Sequence, residues 1–232
     1  MMNVSSRKQT ARGQKTDNGE DIYTSHSEEN ARSIMSEHFI SLDEVEKAHN
    51  FCYTKAQRIA LIEATPCYEP LWNLWDEGCG LMATLPTAHN LLQLKALDNP
   101  LFSRKSERWL TRSSQKFSHE DVVPECQWLA FHIKPRPDAF DMFWADQENL
   151  LTQEEYIPNV AEVAYFITTY YKARRTCLLK NISVRTASVD ASGQNVIIGD
   201  TNADGPIVRR FWNDNRKDCI GVASARRLIS LP

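Results

Sequence analysis

The chain has 232 residues, 42% of them hydrophobic and 25% charged, with six cysteines and a formal net charge of −3. A chain of this length buries roughly 70% of its unfolded surface, so it needs neither a disulfide nor a metal to hold a core. No apolar run approaches the ~20 residues of a membrane span, and no signal peptide precedes the scattered cysteines, which excludes a membrane-spanning class and points to reduced thiols in a cytoplasmic protein.

Residues 1–36 hold almost no large apolar side chains and are expected to form a disordered polar tail. The string Arg7-Lys8-Gln9-Thr10-Ala11-Arg12 resembles the start of a histone tail, but Gly13 stands where a modifiable Lys would follow. Order is expected from about Phe39, giving a single α+β domain over 37–232 with a subdivision near 125 as an alternative. Ser41 with Glu44, and Thr54 with Gln57, have the spacing of capping boxes, in which a hydroxyl accepts an orphan backbone N–H and the acid or amide reaches back. Two short helices should therefore meet near Tyr53. Leu71 and Leu74 beside Trp72 and Trp75 suit a further helical turn, GLMATLP suits a strand, and TAHNLLQLKALD a helix. Residues 99–124 are mostly polar and read as loop.

QWLAFHIKP reads as a strand with Leu129, Phe131 and Ile133 on one face and Trp128, Ala130 and His132 on the other. Asn159 with Glu162 caps the helix NVAEVAYFITTYYKARR, whose Val160, Val163, Ala164 and Ile167 share a side. Beyond it, ISVRTASV, NVIIG, PIVRRFW and IGVASA alternate with turn clusters. Such spacing predicts a four-stranded antiparallel meander packed against helices, with Gly221, Ala223 and Ala225 offering a smooth face to one of them.

From Lys172 onward eleven Lys and Arg face five Asp, so this segment carries about +6 and the remainder about −9. The asymmetry suits either an anionic partner or packing of the two parts against each other. Within it, Arg209, Arg210, Phe211 and Trp212, with Arg185 and Arg216 in neighbouring elements, combine phosphate-neutralising cations with aromatics on which bases can stack. These six residues are the candidate binding surface, and Arg185 and Arg209 are expected on adjacent strands.

Other chemistry is thinner. Asp200, Asn202, Asp204 and Gly205 match the opening of a calcium loop, yet Phe211 stands where the bidentate carboxylate belongs. His49 and Cys52 have zinc-ligand spacing but lack a second pair. Cys126 and His132, six apart on one strand, lie too far apart to work together. Asp141, Asp146, Glu148, Glu154 and Glu155 could serve a hydrolase or nuclease if two converged beside Phe140, Phe143 and Trp144. The two helices of residues 42–64 lack a helix-turn-helix Gly and are acidic. The sequence thus names no catalytic residue, no cofactor and no metal set.

The strand Trp128–Ile133, the run QENLLTQEEYIPNVAEV, the run SVRTASVDASGQNVIIGD and the ending GVASAR resemble, over residues 127–226, a group of uncharacterised bacterial proteins. The resemblance implies a soluble protein and supplies no active site. The expectation is an α+β binding module whose basic sheet meets nucleic acid or an acidic protein partner. The alternatives are a carboxylate-dependent hydrolase and a structural, oligomeric subunit.

Overall fold

The computed structural model describes residues 25–97, 102–103, 107–202, 205–226 and 228. Ordered structure begins earlier than the polar composition suggests, with helix α1 (Ser25–Met35). Ala31, Ile34 and Met35 recur at helical spacing there, and burial of this narrow face holds the helix down although the rest of it is polar. The tail expected for residues 1–36 therefore ends by Ser25, and its first 24 residues lie outside the described ones.

Strand β1 (Phe39–Ile40) leads into α2 (Leu42–His49) and α3 (Lys55–Glu63). Both capping boxes form, Ser41 with Glu44 and Thr54 with Gln57. Next come α4 (Tyr68–Asp76), β2 (Cys79–Ala83), β3 (His89–Asn90) and α5 (Leu91–Leu97). The segment read as loop contains α6 (Glu107–Leu110), α7 (Phe117–Glu120) and β4 (Val122–Val123). Few apolar residues pin them: Leu110, Phe117 and Val123 are all buried, and Trp109 packs against Phe117. Periodicity is invisible in elements so short.

β5 (Trp128–His132), α8 (Trp144–Glu148), β6 (Glu155–Tyr156) and α9 (Val160–Arg174) follow, and the capping box of Asn159 with Glu162 opens α9. The chain continues through β7 (Ser183–Val189), β8 (Asn195–Asn202), β9 (Gly205–Arg210), β10 (Ile220–Val222) and β11 (Ala225–Arg226). The larger sheet has the order β1-β2-β5-β11-β6. Its residues alternate as a two-sided sheet requires. Phe39, Leu81, Ala83, Trp128 and Ala130 join α1, α3 and α4 in one apolar cluster, while Ile40, Met82, Leu129 and Phe131 face a second cluster built on α9.

α9 is the shared wall of the molecule. Side chains from Val160 to Tyr170 are buried on every side of it, not along one stripe, because the helix lies between the two sheets. The Phe166 ring stacks on Phe131 at 4.7 Å, an arrangement that contributes about 0.5–1.5 kcal/mol beyond the area it buries. Gly80 allows this approach, since a Cβ there would stand 2.8 Å from the Phe166 ring. Tyr165 Oη donates to the Ala83 carbonyl at 2.6 Å, so the buried phenol is satisfied.

The C-terminal sheet departs from the meander. Its order is β10-β7-β8-β9: the first three strands in sequence pair antiparallel, but β10 returns to the far edge and pairs parallel with β7. Residues 211–219 form the cause. They make no hairpin turn and instead cross the outer face of the sheet, held there by hydrogen bonds from Arg185. The expected last strand also divides. Ile220–Val222 belongs to this sheet, Ala223 and Ser224 break the run, and Ala225–Arg226 enters the larger sheet between β5 and β6. The missing side chain at Gly221 makes room for Pro135, which would stand 2.9 Å from a Cβ at that position, and not for a helix.

Part of the cationic surplus from residue 172 onward is spent on internal packing. Arg174 pairs with Glu44 at 2.6 Å, Lys172 donates to the Ala48 carbonyl at 2.7 Å, and Arg226 bridges Glu77 and Glu154. Among the described residues no helix is long and apolar enough to cross a membrane.

Candidate functional site

Arg185, expected on the binding surface, is fully buried. Its Nη1 donates to the Met142 carbonyl at 3.1 Å and to Gln147 Oε1 at 2.5 Å. Its Nη2 donates to the carbonyls of Trp212 at 3.3 Å and Asn215 at 2.5 Å. The guanidinium also lies 4.9 Å from the Phe211 ring centroid. Burial pushes its pKa down to about 10, still far enough above neutrality to keep the charge. Gln147 extends the network, its Nε2 donating to the Ala139 and Ile220 carbonyls. Arg185 and Arg209 are not on adjacent strands either. β8 separates them, and Arg185, Ile197 and Arg209 lie in register across three strands.

This buried node fixes two loops side by side. Trp144 N donates to the Asn213 carbonyl at 3.2 Å, and Asp141 N to the Lys217 carbonyl at 3.1 Å. Asn213 Oδ1 accepts from Asn195 N, and Asn213 N donates to Gln194 Oε1, which ties the crossing loop to the β7–β8 turn. On the surface of the paired loops stand Trp212, 47% exposed, and Phe143, 43% exposed. Each is covered by an arginine: Arg210 lies 5.1 Å from the Trp212 ring and Arg216 5.7 Å from Phe143. Arg209, Arg210 and Arg216 also face Asp200, Asp190 and Asp141 at 3.7 to 3.9 Å; Asp190 is buried, while the other two pairs are exposed and therefore weak and easily exchanged. Of the six expected residues, then, three arginines and Trp212 present themselves outward, while Arg185 and the half-buried Phe211 hold the platform from beneath. The sequence did not indicate Phe143 as a partner of this surface, since its arginine is 73 positions away and meets it only through the loop pairing.

A second cluster was not legible in the sequence. Cys79 on β2 and His132 on β5 are direct cross-strand partners, and the Glu77 carboxylate, the Cys79 thiol and a His132 ring nitrogen all come within 4.8 Å of one another. His132 Nδ1 lies 3.2 Å from the Glu77 carbonyl oxygen. Its Nε2, also buried, stands 2.9 Å from Glu155 Oε1. Arg226 Nη2 contacts Glu77 at 2.9 Å and Glu154 at 3.0 Å. Burial, and then the nearby Glu77 charge, push the Cys79 thiol up to about 12. For Glu155, burial raises the pKa, but hydrogen bonds from Thr152 and the neighbouring His132 outweigh it and hold the carboxyl below its ordinary value.

The remaining candidates do not assemble. His49 Nε2 contacts Thr169 Oγ1 at 2.8 Å and the ring stacks on Tyr165, while Cys52 lies past the end of α2 and is exposed. Cys126 Sγ faces the Pro86 carbonyl, remote from His132. The calcium-like loop joins β8 to β9, with residues 203–204 outside the described ones, and Asp200 turns toward Arg209. Of the carboxylates in the 138–155 region, Glu154 and Glu155 reach the His132 cluster, and Asp141 pairs with Arg216.

Compared with family models, curated proteins and solved structures, the chain finds no match.

Proposed function

We propose that this chain is a binding module that engages single-stranded nucleic acid through the loops carrying Phe143 and Trp212. One observation carries the reading: two exposed aromatic rings, each flanked by an arginine, sit on a loop pair fixed from below by the buried Arg185 network. Unpaired bases stack on exposed rings, and the neighbouring arginines neutralise the phosphates between them. Rigidity matters here, because a surface already held in its bound shape loses little conformational entropy on binding. The acidic partner of Arg216, Asp141, is 3.9 Å away and exposed, so a phosphate can displace it at small cost, while Arg210 keeps an exposed guanidinium 3.9 Å from the buried Asp190 carboxylate.

The test is fluorescence anisotropy of labelled single-stranded and duplex oligonucleotides against the full chain, titrated with salt. Single strands should bind better than duplex and weaken steeply with salt. Arg210→Ala with Arg216→Ala should reduce the salt slope by roughly 0.7 for each lost phosphate contact. Trp212→Ala should cost about 1–3 kcal/mol of affinity through lost stacking. Absence of oligonucleotide binding at low salt would overturn the proposal, and capture of an acidic polypeptide instead would transfer the surface to a protein partner. The hydrolase alternative has a single observation in its favour, the approach of Glu154 and Glu155 to Arg226 and His132.

A further inference from the structure

We propose that Glu77, Cys79 and His132 form a binding site for a divalent transition-metal ion of the zinc type, with Glu155 as the carboxylate that holds the imidazole. Three different donors converge there, a carboxylate, a thiol and an imidazole, with ligand atoms within 4.8 Å of one another. A mixed sulfur, nitrogen and oxygen set suits a borderline-soft ion, and three protein ligands leave a position for water or another ligand. Hard cations such as magnesium and calcium would be poorly served by the thiol.

The site is built by the sheet. Cys79 and His132 are opposite each other in the β2–β5 ladder, so their separation is set by backbone hydrogen bonds, and Glu77 enters from the turn that follows α4. A second observation also points to a ligand. His132 Nε2 is buried 2.9 Å from Glu155 Oε1, so the carboxylate can hold one ring nitrogen and leave the other, Nδ1, for the ion. A buried ring nitrogen ordinarily finds a donor or acceptor. An imidazole backed by a carboxylate is the usual outer arrangement of a metal-bound histidine, fixing the ring and raising its basicity. Glu77 is the entry side: it is exposed, and its present partner Arg226 can keep its second contact, with Glu154, when the Glu77 carboxylate turns to the ion. This site is separate from the loop surface that carries Phe143 and Trp212.

The experiment is titration of the full chain with cobalt(II), read by absorption, followed by displacement with zinc. A thiolate-to-cobalt charge-transfer band and the intense visible bands of a four-coordinate ion are expected. Cys79→Ser should abolish the charge-transfer band, whereas Cys52→Ser with Cys67→Ser, which removes two exposed thiols, should leave it unchanged. Glu77→Gln lies on the exposed turn and should fold normally while weakening the ion at least tenfold. Glu155→Gln should weaken it by about 10–100-fold, as loss of an outer carboxylate does. A wild-type chain without the charge-transfer band, a band that survives Cys79→Ser, or an affinity unmoved by Glu77→Gln would each overturn the proposal.

Discussion

The outer face of the C-terminal sheet and the outer face of the larger sheet both bury polar side chains, yet they surround them with opposite chemistry. Around Arg185 every hydrogen-bond acceptor is a backbone carbonyl or the neutral amide of Gln147, none of which changes charge. Around His132 the neighbours are a thiol, three carboxylates and an arginine, almost all of which gain or lose protons or ligands. The first arrangement is a scaffold: it converts one side chain into the fixed shape of two loops. The second can exchange what it holds. The difference teaches that a buried cation is no mark of function until the chemistry of its acceptors is known.

Removing Arg185 should break the first arrangement outright. Arg185→Met leaves the buried Gln147 amide and the carbonyls of Met142, Trp212 and Asn215 without their donor, and an acceptor orphaned away from water costs about 1–3 kcal/mol. A total loss of roughly 3–5 kcal/mol is expected, seen as a lower urea midpoint, together with loss of any binding by the loops. Gly199→Ala comes next. Gly199 has φ +146° and a Cβ there would stand 2.4 Å from the Ile182 carbonyl oxygen, so a penalty of roughly 1–3 kcal/mol is expected in the same assay. Here the cost falls on the backbone that carries β7 and β8, and the larger sheet should keep its cobalt response.

Acid separates the two faces. Because the folded pKa of Glu155 is lowered, its contribution to stability is full above the ordinary carboxylate range and disappears as pH falls through the folded value. The stability difference between wild type and Glu155→Gln, measured by denaturant titration, should therefore shrink on moving from pH 7 into that range. The Arg185 network should show no such trend. The smallest effect is expected at Glu162, whose pKa burial raises. Its contribution runs the other way, present at low pH and diminishing as pH rises through the folded value, so Glu162→Gln should be tolerated better at pH 7 than Glu155→Gln.

Much of the fold was legible because its signals are local. The capping residues Ser41, Thr54 and Asn159 each act within one turn, and the alternation of Trp128, Leu129, Ala130 and Phe131 is a property of one strand. What was not legible depends on long-range pairing. The parallel return of β10 follows from where residues 211–219 are anchored, and their anchor, Arg185, reads in the sequence as one more surface cation. The candidate metal cluster is hidden for the same reason: Cys79 and His132 are neighbours through strand register alone. Of the expected binding residues, Arg210, Trp212 and Arg216 carry the aromatic-cation association at the surface, and Arg185 carries it with Phe211 in a buried, structural place.

The position of β11 has a kinetic consequence. Residues 225–226 do not extend the larger sheet at an edge but fill the gap between β5 and β6, which have no ladder with each other. As a chain leaves the ribosome, β5 and β6 must therefore wait, with their edges open, until the strand that joins them has been made. Contacts so distant in sequence close slowly, because the loop entropy is lost before the ladder forms. Refolding should accordingly show late protection of the β5 and β6 amides in pulsed hydrogen exchange, after α9 has already docked.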